Sequence, residues 1–351
     1  MDIKIIRNES PAQLPDENAL GFGEIFTDHM FVSDYDDASG WHDFRIVPYG
    51  PISLSPAAAV FHYGAEVFEG LKAYRTPDGG VQLFRPMENG LRLARSCERI
   101  GIPAFPAEDT VRAVEELVRL DSRWVPGKDG TSLYIRPFVF STDENLSLHG
   151  VHRAMYVIVC SPSGIYFGLD PVKIMLETED VRAVRGGTGE AKCGGNYAAS
   201  NRAADRAAEL GYTQVLWLDG VERKYIEEVG AMNVMFKISG KVVTPKLTGS
   251  ILPGITRKSC IELIRSWGIE VEERLLSIDE LVEAAESGAL EEAWGCGTAA
   301  VISPIGQFCY LGKEHVINDM KTGELSKRLF DELTGIQYGK RPDPFGWTVR
   351  L

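Results

Sequence analysis

The alternation of helical and extended patterns in the second half of the chain constrains its fold more than any other feature. Small residues recur at helical spacing after Asn196, a residue type suited to cap a helix, and Gly211 stops the pattern. An apolar hairpin pattern further along the chain turns at Ser239-Gly240. The predicted elements are a helix over 196–210, a strand over 214–218, a hairpin over 233–244 and a helix over 253–267. This alternation predicts an α+β or α/β fold, and the periodicity alone leaves the particular fold open.

The first half of the chain predicts a second mixed region, which a run of turn residues separates from the first. Strands are predicted over 30–32, 81–84, 133–136 and 155–160, and an amphipathic helix over 108–120. Proline and glycine then cluster at Pro162, Gly164, Gly168 and Pro171. At about 100–200 residues per domain, a chain of 351 residues predicts two domains. We expect a smaller N-terminal domain over 1–161, a linker over 162–173 and a larger domain over 174–351.

Charge and cysteine usage exclude several classes of function. The chain has 37 Lys and Arg against 50 Asp and Glu, and this net charge of −13 argues against a dedicated nucleic-acid or membrane-surface binder. Residues 1–17 lack the apolar segment of a signal peptide, and no apolar stretch approaches about 18 residues. The six cysteines form no CxxC pair, and His149 and His152 find no further ligands nearby. We therefore expect no metal, and free thiols in the cytoplasm.

A glycine-rich segment surrounds Lys192. Glycines flank the lysine on both sides between Arg185 and Tyr197, and its immediate neighbours Ala191 and Cys193 are small. A lysine among small residues can lose its hydration, which lowers its pKa and makes the amine a nucleophile. A flexible loop with a solvated lysine is the alternative. The segment matches neither the phosphate-binding GxxxxGK[ST] pattern nor a dinucleotide-binding GxGxxG pattern.

Two further polar pairs are candidates for ligand binding. Tyr134 and Arg136 lie two residues apart on a predicted strand, so both side chains face the same side and together could hold a carboxylate. A structural ion pair of Arg136 is the alternative. Glu227 and Glu228 follow an apolar segment, and Glu228 directed inward could hold a proton on a ligand nitrogen. A solvated turn is the more common outcome for adjacent carboxylates.

Two small-residue turns are candidates for anion binding. Ile255 and Thr256 begin a predicted helix after Pro253-Gly254, where free backbone amides and the helix dipole favour phosphate. Thr298 lies in a second such turn, between Gly297 and Ala299. The alternative for both is a simple helix cap or tight turn.

Eight segments in chain order resemble the branched-chain-amino-acid aminotransferases, which are pyridoxal-phosphate (PLP) enzymes of fold type IV. The segments are FGEIFTDHM, HYGAEVFEGLKAYR, LFRP, LYIRP, KCGGNY, EEVGAMN, LPGITR and GTAAVISP. The resemblance implies a two-domain fold type IV enzyme whose larger domain binds PLP. It also implies transfer of the amino group of Leu, Ile or Val to 2-oxoglutarate, giving branched-chain 2-oxo acids and L-glutamate, by a homodimer.

The same resemblance assigns roles to residues of this chain. Lys192 would bond covalently to PLP and carry the proton, Tyr197 would contact the phenolic oxygen of PLP, and Glu228 would pair with its pyridine nitrogen. The residues implied for the phosphate are Arg92, Ile255, Thr256 and Thr298. The residues implied for the substrate are Phe22, Tyr63, Phe68, Tyr134, Arg136, Ala231, Ala299 and Ala300, with Leu146 and Leu148 reaching in from the neighbouring subunit.

Some features leave alternatives open. Animal members of the family carry a CxxC pair where this chain has Ala300-Val301-Ile302-Ser303, so we expect no thiol regulation of that kind. Ala231 replaces a threonine of some relatives. Within PLP chemistry the alternatives are a D-amino-acid or (R)-amine aminotransferase and an aminodeoxychorismate-type lyase. Outside it they are a non-catalytic binder of a phosphate ligand, an NTPase and a scaffold protein.

Overall fold

The computed structural model describes residues 1–164 and 168–351. The chain forms two compact units. The N-terminal unit comprises Met1–Tyr166, Ala191–Gly194 and Gly335–Leu351, and the second unit comprises Phe167–Glu190 and Gly195–Thr334. The division at 162–173 predicted from the sequence stays a prediction, and residues 165–167 of that linker lie outside the described residues.

The helices and strands are numbered here in chain order. The strands are β1 (Lys4–Ile5), β2 (His29–Asp36), β3 (Gly40–Pro48), β4 (Glu66–Phe68), β5 (Leu71–Arg75), β6 (Val81–Phe84), β7 (Ser132–Ser141), β8 (Arg153–Ser163), β9 (Val172–Leu176), β10 (Gln214–Leu218), β11 (Ile226–Val229), β12 (Met232–Ile238), β13 (Lys241–Pro245), β14 (Val271–Arg274), β15 (Leu290–Gly297), β16 (Val301–Tyr310), β17 (Lys313–Val316) and β18 (Thr348–Arg350). The α-helices are α1 (Ala59–Tyr63), α2 (Pro86–Ile100), α3 (Ala107–Leu120), α4 (Gly194–Ala198), α5 (Asn201–Glu209), α6 (Ile255–Ser266), α7 (Ile278–Glu286) and α8 (Glu324–Gln337).

One sheet organises the N-terminal unit. Its strand order is β1-β3-β2-β8-β7-β5-β6-β18, and β4 also pairs with β7. Because Phe68 of β4 pairs with Phe138 and Leu71 of β5 pairs with Ile135, the short link between β4 and β5 lies beside the middle of β7. This register places Glu69 and Gly70 next to the strand that carries Tyr134 and Arg136.

Helices α2 and α3 cover this sheet with apolar side chains. In α3, Val114, Leu117 and Val118 recur at helical spacing and are buried in the same core cluster as Leu93 of α2. Burial of one such side chain contributes about 1.5–3 kcal/mol to stability. Helix α2 ends at Gly101, whose left-handed φ of 73° lets its amide bond back to the last turn. The packing of α2 fixes the helix face that later carries the polar residues of the site.

The second unit is organised by strands that close into a ring. The strand order is β11-β10-β9-β16-β15-β12-β13-β14, and β11 pairs with β12 as well as with β10. Strand β17 pairs with β16. Apolar residues of the ring and of α7 form one buried cluster that includes Leu216, Phe236 and Leu281. The short turn between β11 and β12 therefore lies at one end of a closed and well-packed set of strands.

Most elements predicted from periodicity are confirmed. The predicted strands over 30–32, 81–84, 133–136, 155–160 and 214–218 lie within β2, β6, β7, β8 and β10, and the predicted helices over 108–120 and 253–267 match α3 and α6. The hairpin over 233–244 is formed by β12 and β13, and its turn at Ser239-Gly240 has positive φ at both residues. This backbone geometry matches the twist of a two-residue hairpin.

The single helix predicted over 196–210 is wrong. The chain forms α4 and α5 instead, because the Ser200 amide bonds to the carbonyl of Tyr197, three residues back, rather than four. Asn196 does not cap the helix. Its side-chain amide donates to the Thr188 carbonyl at 2.8 Å and accepts from the Thr188 hydroxyl at 2.8 Å, which anchors α4 to the preceding segment.

The helices and the cysteines of the structure can be compared with the expectations about membrane spans and disulfides. Within residues 1–164 and 168–351, no helix is long and apolar enough to cross a bilayer. All six cysteines are buried free thiols.

Candidate active site

The Lys192 segment is held firmly in the N-terminal unit. The Lys192 amide donates to Ser96 Oγ at 3.0 Å, and its carbonyl accepts from the Phe68 amide at 2.9 Å. A Cβ on Gly194 would lie 2.1 Å from Glu66 Oε1, so only glycine fits there. The alternative of a flexible loop is therefore wrong, since backbone bonds fix the segment on both sides of the lysine.

The Lys192 amine lies in a largely apolar and cationic surrounding. Its Nζ is 4.7 Å from the centre of the Phe68 ring. Burial, and then the positive charge of Arg92, lower the pKa of Lys192 from 10.5 to about 8, while the Glu69 carboxylate acts in the opposite direction. With a pKa of about 8, about a tenth of the amine is unprotonated at pH 7, far more than for a lysine with the ordinary pKa of 10.5.

One face of helix α2 carries a row of polar side chains. Asn89, Arg92 and Ser96 are spaced three and four residues apart, so they share a face, and all three are buried. Arg92 Nε donates to Glu69 Oε1 at 2.6 Å and Arg92 Nη2 donates to Oε2 at 2.9 Å. Asn89 Nδ2 donates to the same Oε2 at 2.7 Å. Sequence reasoning found Arg92 but missed Glu69, whose partners lie 20 and 23 residues away.

Tyr134 and Arg136 lie together, as the strand alternation predicts. Arg136 Nη2 donates to the Tyr134 hydroxyl at 3.0 Å, and the Arg136 guanidinium carbon is 4.7 Å from the Phe68 ring centre. Among the described residues no carboxylate forms an ion pair with Arg136, and its buried Nε has no hydrogen-bond partner. The alternative of a structural ion pair is therefore wrong. Phe22 packs edge-on against Tyr134 at 4.9 Å between ring centres, which makes this face aromatic with one guanidinium.

Gly70 lies so close to the Tyr134 hydroxyl that the aromatic face depends on its lack of a side chain. A Cβ on Gly70 would lie 2.1 Å from the Tyr134 hydroxyl oxygen, so a larger residue would push the ring away. Gly70 thus lets the β4–β5 link pass directly against Tyr134.

Tyr63, Leu146 and Leu148 are exposed in the N-terminal unit. The Tyr63 hydroxyl donates to the Leu146 carbonyl, which ties the end of α1 to the loop between β7 and β8. The side chains of Leu146 and Leu148 are 64% and 82% exposed, which is unusual for leucine. The loop predicted to reach a neighbouring subunit therefore presents apolar side chains to the outside.

In the second unit, Glu228 is buried and held by an ion pair and a hydrogen bond. Arg182 Nε lies 2.8 Å from Glu228 Oε2, and Asn233 Nδ2 donates to Oε1 at 3.0 Å. A solvated turn is therefore wrong for this carboxylate, whose orientation is fixed. Sequence reasoning missed both contacts: Arg182 lies in none of the segments that resemble the family, and Asn233 ends the segment EEVGAMN without any sign of its partner. Glu227 is also buried, and burial raises the pKa of its carboxyl group.

Asn233 connects Glu228 to the start of helix α6. Besides its bond to Glu228, Asn233 Nδ2 donates to the Leu252 carbonyl at 2.9 Å. A Cβ on Gly254 would lie 1.9 Å from Asn233 Oδ1, so glycine is required where the helix begins. The α6 N-terminus, with Ile255 and Thr256 in its first turn, thus lies against the residue that orients the carboxylate.

The remaining predicted residues of the second unit lie on nearby turns and on α4. The turn 298–300 joins β15 to β16 and contains Thr298, Ala299 and Ala300. Asn233 of β12 pairs with Cys296 of β15, which places this turn next to the β11–β12 turn that carries Ala231. Tyr197 lies near the end of α4 and is partly buried. The structure thus brings Glu228, Ile255, Thr256, Thr298 and Ala231 to one end of the strand ring.

Comparison with known proteins identifies the family. A family model described as amino-transferase class IV matches residues 66–308, and the chain therefore belongs to the class IV aminotransferases. Its relatives within that class are branched-chain enzymes. Branched-chain-amino-acid transaminase 1 of Bacillus subtilis (strain 168) is 53% identical over 354 residues, covering 99% of this chain and 99% of the relative.

Solved structures agree with this placement. The branched-chain aminotransferase of Thermoproteus uzoniensis with norvaline has a TM-score of 0.75 at 28% identity, covering 92% of this chain and 99% of that chain. The branched-chain amino acid aminotransferase of Escherichia coli has a TM-score of 0.75 at 26% identity, covering 92% of this chain and 98% of that chain. The predicted resemblance and the predicted fold type IV architecture are confirmed.

The side chains present fit PLP, the cofactor of this family. A largely buried lysine with a lowered pKa is suited to bind the aldehyde group of PLP covalently. A helix N-terminus that begins at a glycine suits a phosphate. A buried carboxylate in a fixed orientation suits a protonated pyridine nitrogen. Each of these chemical requirements is met by a residue named from the sequence.

Proposed function

We propose that this chain transfers the α-amino group of leucine, isoleucine or valine to 2-oxoglutarate, giving a branched-chain 2-oxo acid and L-glutamate. The assignment of the site rests on the Lys192 amine, which is largely buried beside Phe68 and Arg92 and has a pKa of about 8. An amine in that state can attack an aldehyde at neutral pH, which a solvated lysine does poorly.

Lys192 has two proposed tasks. Its unprotonated Nζ would hold PLP covalently through the aldehyde carbon, with loss of water. Once the substrate amine has displaced it, the free Nζ would accept the proton from the substrate Cα and deliver it to the former aldehyde carbon. When bound, PLP supplies an electron-accepting ring that takes up the electrons left by the departing α-proton. The hydrogen bonds of the Lys192 main chain with Ser96 and Phe68 fix the point from which its side chain reaches for both tasks.

The other cofactor contacts follow from charge and donor chemistry. Arg92, the first-turn amides at Ile255 and Thr256, and the Thr298 hydroxyl are proposed to hold the phosphate. Glu228 is proposed to face the pyridine nitrogen and keep it protonated, while Arg182 and Asn233 prevent the carboxylate from turning away. Tyr197 is proposed to donate to the phenolic oxygen of the ring.

The aromatic face of the N-terminal unit is proposed to receive both kinds of substrate. Phe22 and Phe68 offer apolar surface to a branched side chain, and Arg136 offers a guanidinium, with an unpaired buried Nε, to the second carboxylate of glutamate. An apolar pocket separates side chains that differ by one methylene by only about 1–3 kcal/mol, so we expect activity on all three branched amino acids. Tyr63 and Ala231 are proposed to border this pocket, and the amides of Ala299 and Ala300 to bind the α-carboxylate.

The assembly proposed is a homodimer in the cytoplasm. Leu146 and Leu148 are exposed apolar side chains on a loop anchored by Tyr63, and a second copy of this chain would cover them. The cytoplasmic location is supported by six cysteines that remain free thiols.

The proposal is tested by absorption spectroscopy and by identifying the residue to which PLP is covalently bound. Purified protein with PLP is expected to show a visible absorption band that L-leucine changes, and hydride reduction followed by peptide mapping is expected to place the cofactor on Lys192. Turnover of L-leucine, D-alanine and a simple chiral amine is then compared. Preference for D-alanine or the amine would support the related aminotransferases instead, and absence of any band would support a non-catalytic phosphate binder.

A further inference from the structure

A completely buried carboxylate lies beside the proposed cofactor-binding lysine, and none of the roles described so far uses it. Glu69, in the link between β4 and β5, receives two hydrogen bonds from Arg92, at 2.6 and 2.9 Å, and one from Asn89 at 2.7 Å. The Gly70 amide adds a fourth donor at 3.1 Å. Four donors surround one carboxylate, and the two from Arg92 form a planar two-point contact that fixes the guanidinium.

Glu69 also acts electrostatically on Lys192. The charged and titratable groups of the N-terminal unit that act on the Lys192 amine are Arg92 from α2, Glu69 from the β4–β5 link, and Tyr134 and Arg136 from β7. The two arginines lower the pKa of Lys192, whereas Glu69 and Tyr134 raise it. Burial raises the pKa of the Glu69 carboxyl group, but Arg92 and, to a smaller extent, Lys192 lower it, so that the net pKa lies below its ordinary value. Glu69 is therefore an anion that interacts with two cations: Arg92, which is proposed to hold the phosphate, and Lys192, which is proposed to bind PLP covalently.

We propose that Glu69 is a positioning residue that fixes the Arg92 guanidinium for the PLP phosphate and offsets its positive charge next to the Lys192 amine. The proposal rests on the roles given above to Lys192 and Arg92. Without the carboxylate, Arg92 would lose the two-point contact that orients its guanidinium, and its charge would act on Lys192 without compensation from Glu69. Both consequences are measurable, one as retention of PLP and the other as the pH dependence of the lysine.

The test follows the rate at which cofactor-free protein recombines with PLP as a function of pH. In the wild-type protein this rate is expected to rise with pH through about 8, because only the unprotonated Lys192 amine reacts. Glu69→Gln removes an anion, so the rise is expected about one pH unit lower, and PLP is expected to dissociate about tenfold faster. Arg92→Gln removes a cation and is expected to shift the rise to higher pH.

Opposite shifts distinguish charge compensation from structural damage. The double variant Glu69→Gln/Arg92→Gln loses both charges, so its pH profile is expected to lie close to that of the wild type although it binds PLP weakly. Glu69→Asp keeps the charge but shortens the side chain, so it is expected to retain the wild-type profile and lose PLP faster. If Glu69→Gln fails to fold because the buried Arg92 loses its carboxylate, the double variant compared with Arg92→Gln gives the same information.

Asp121→Asn is the matched control for Glu69→Gln. Asp121→Asn removes another buried carboxylate of the same unit, one that pairs with His29 at 2.6 Å, and is expected to leave the profile unchanged. Equal shifts in Glu69→Gln and Glu69→Asp, or no shift in Glu69→Gln, would overturn the role of Glu69. Covalent PLP in Lys192→Ala after hydride reduction would instead overturn the proposed site itself.

Discussion

At the scale of single residues, the Lys192 side chain is set apart by what surrounds it. Burial readily lowers the pKa of a lysine, and here an arginine adds to the effect of burial. The same amine on the surface would be protonated at neutral pH and unable to attack a carbonyl carbon. The chemistry therefore depends on the burial of the Lys192 side chain beside Phe68 and on the neighbouring charge of Arg92.

Replacement of Lys192 tests this directly. Lys192→Ala is expected to bind PLP only non-covalently and to lose about a thousandfold or more in kcat, because both the covalent link and the proton carrier are removed. The visible spectrum after hydride reduction and single-turnover rates with L-leucine are the measurements. Lys72→Ala is a matched control, since Lys72 is also buried with a pKa of about 8 but has no proposed role in binding PLP. Near-normal transamination in Lys192→Ala would contradict the assignment.

Single residues could be predicted from the sequence only where a pattern marks them. Lys192 is marked by its glycines, and Glu228 and Arg92 by the resemblance to a family. Glu69 lies in one of the segments that resemble the family, but the segment does not show its partner, and Arg182 lies in none of them. Their partners Arg92 and Glu228 are distant in the chain, so each contact exists only after folding. The sequence shows residue types, whereas burial and pairing decide which carboxylates are held in place.

At the scale of elements, the start of helix α6 depends on a short contact. Gly254 lies directly against Asn233 Oδ1, and the Asn233 side-chain amide also bonds to Leu252 and Glu228. The helix N-terminus and the carboxylate are therefore positioned by one asparagine. A periodic pattern predicts that a helix begins near this point, but it does not reveal which side chain the helix start contacts.

Gly254→Ala tests whether this contact matters for the cofactor. The new Cβ would have to displace Asn233, so PLP is expected to bind about tenfold more weakly, equivalent to about 1.4 kcal/mol. Equilibrium dialysis of PLP and thermal unfolding of the cofactor-free protein separate weaker binding from lost stability. Gly168→Ala is the control in the same unit, because a Cβ there meets only an ordinary contact at 3.9 Å. Unchanged PLP affinity in Gly254→Ala would show that the phosphate lies elsewhere.

At the scale of the whole molecule, many strands could be predicted from the sequence, but their neighbours within each sheet could not. Strand β18, at the end of the chain, pairs with β6, and the segment that carries Lys192 joins the N-terminal unit although the residues on either side belong to the second. Periodicity is a local property and carries no information about which strand lies next to which. The two-domain expectation came from chain length, whereas the exchange of segments between the units follows from three-dimensional packing.

The exposed leucines lead to a prediction about assembly. Leu148→Asp places a charge where the proposed homodimer would bury an apolar side chain, and burying an unpaired charge is strongly unfavourable. The variant is expected to sediment as a monomer at micromolar concentrations and to lose transaminase activity, because the loop no longer reaches a neighbouring site. Leu311→Asp is the control, since Leu311 is 78% exposed in the second unit and has no proposed partner. A dimer as tight as the wild type in Leu148→Asp would remove this loop from the interface, and full activity in a dilute monomer would show that each chain completes its own site.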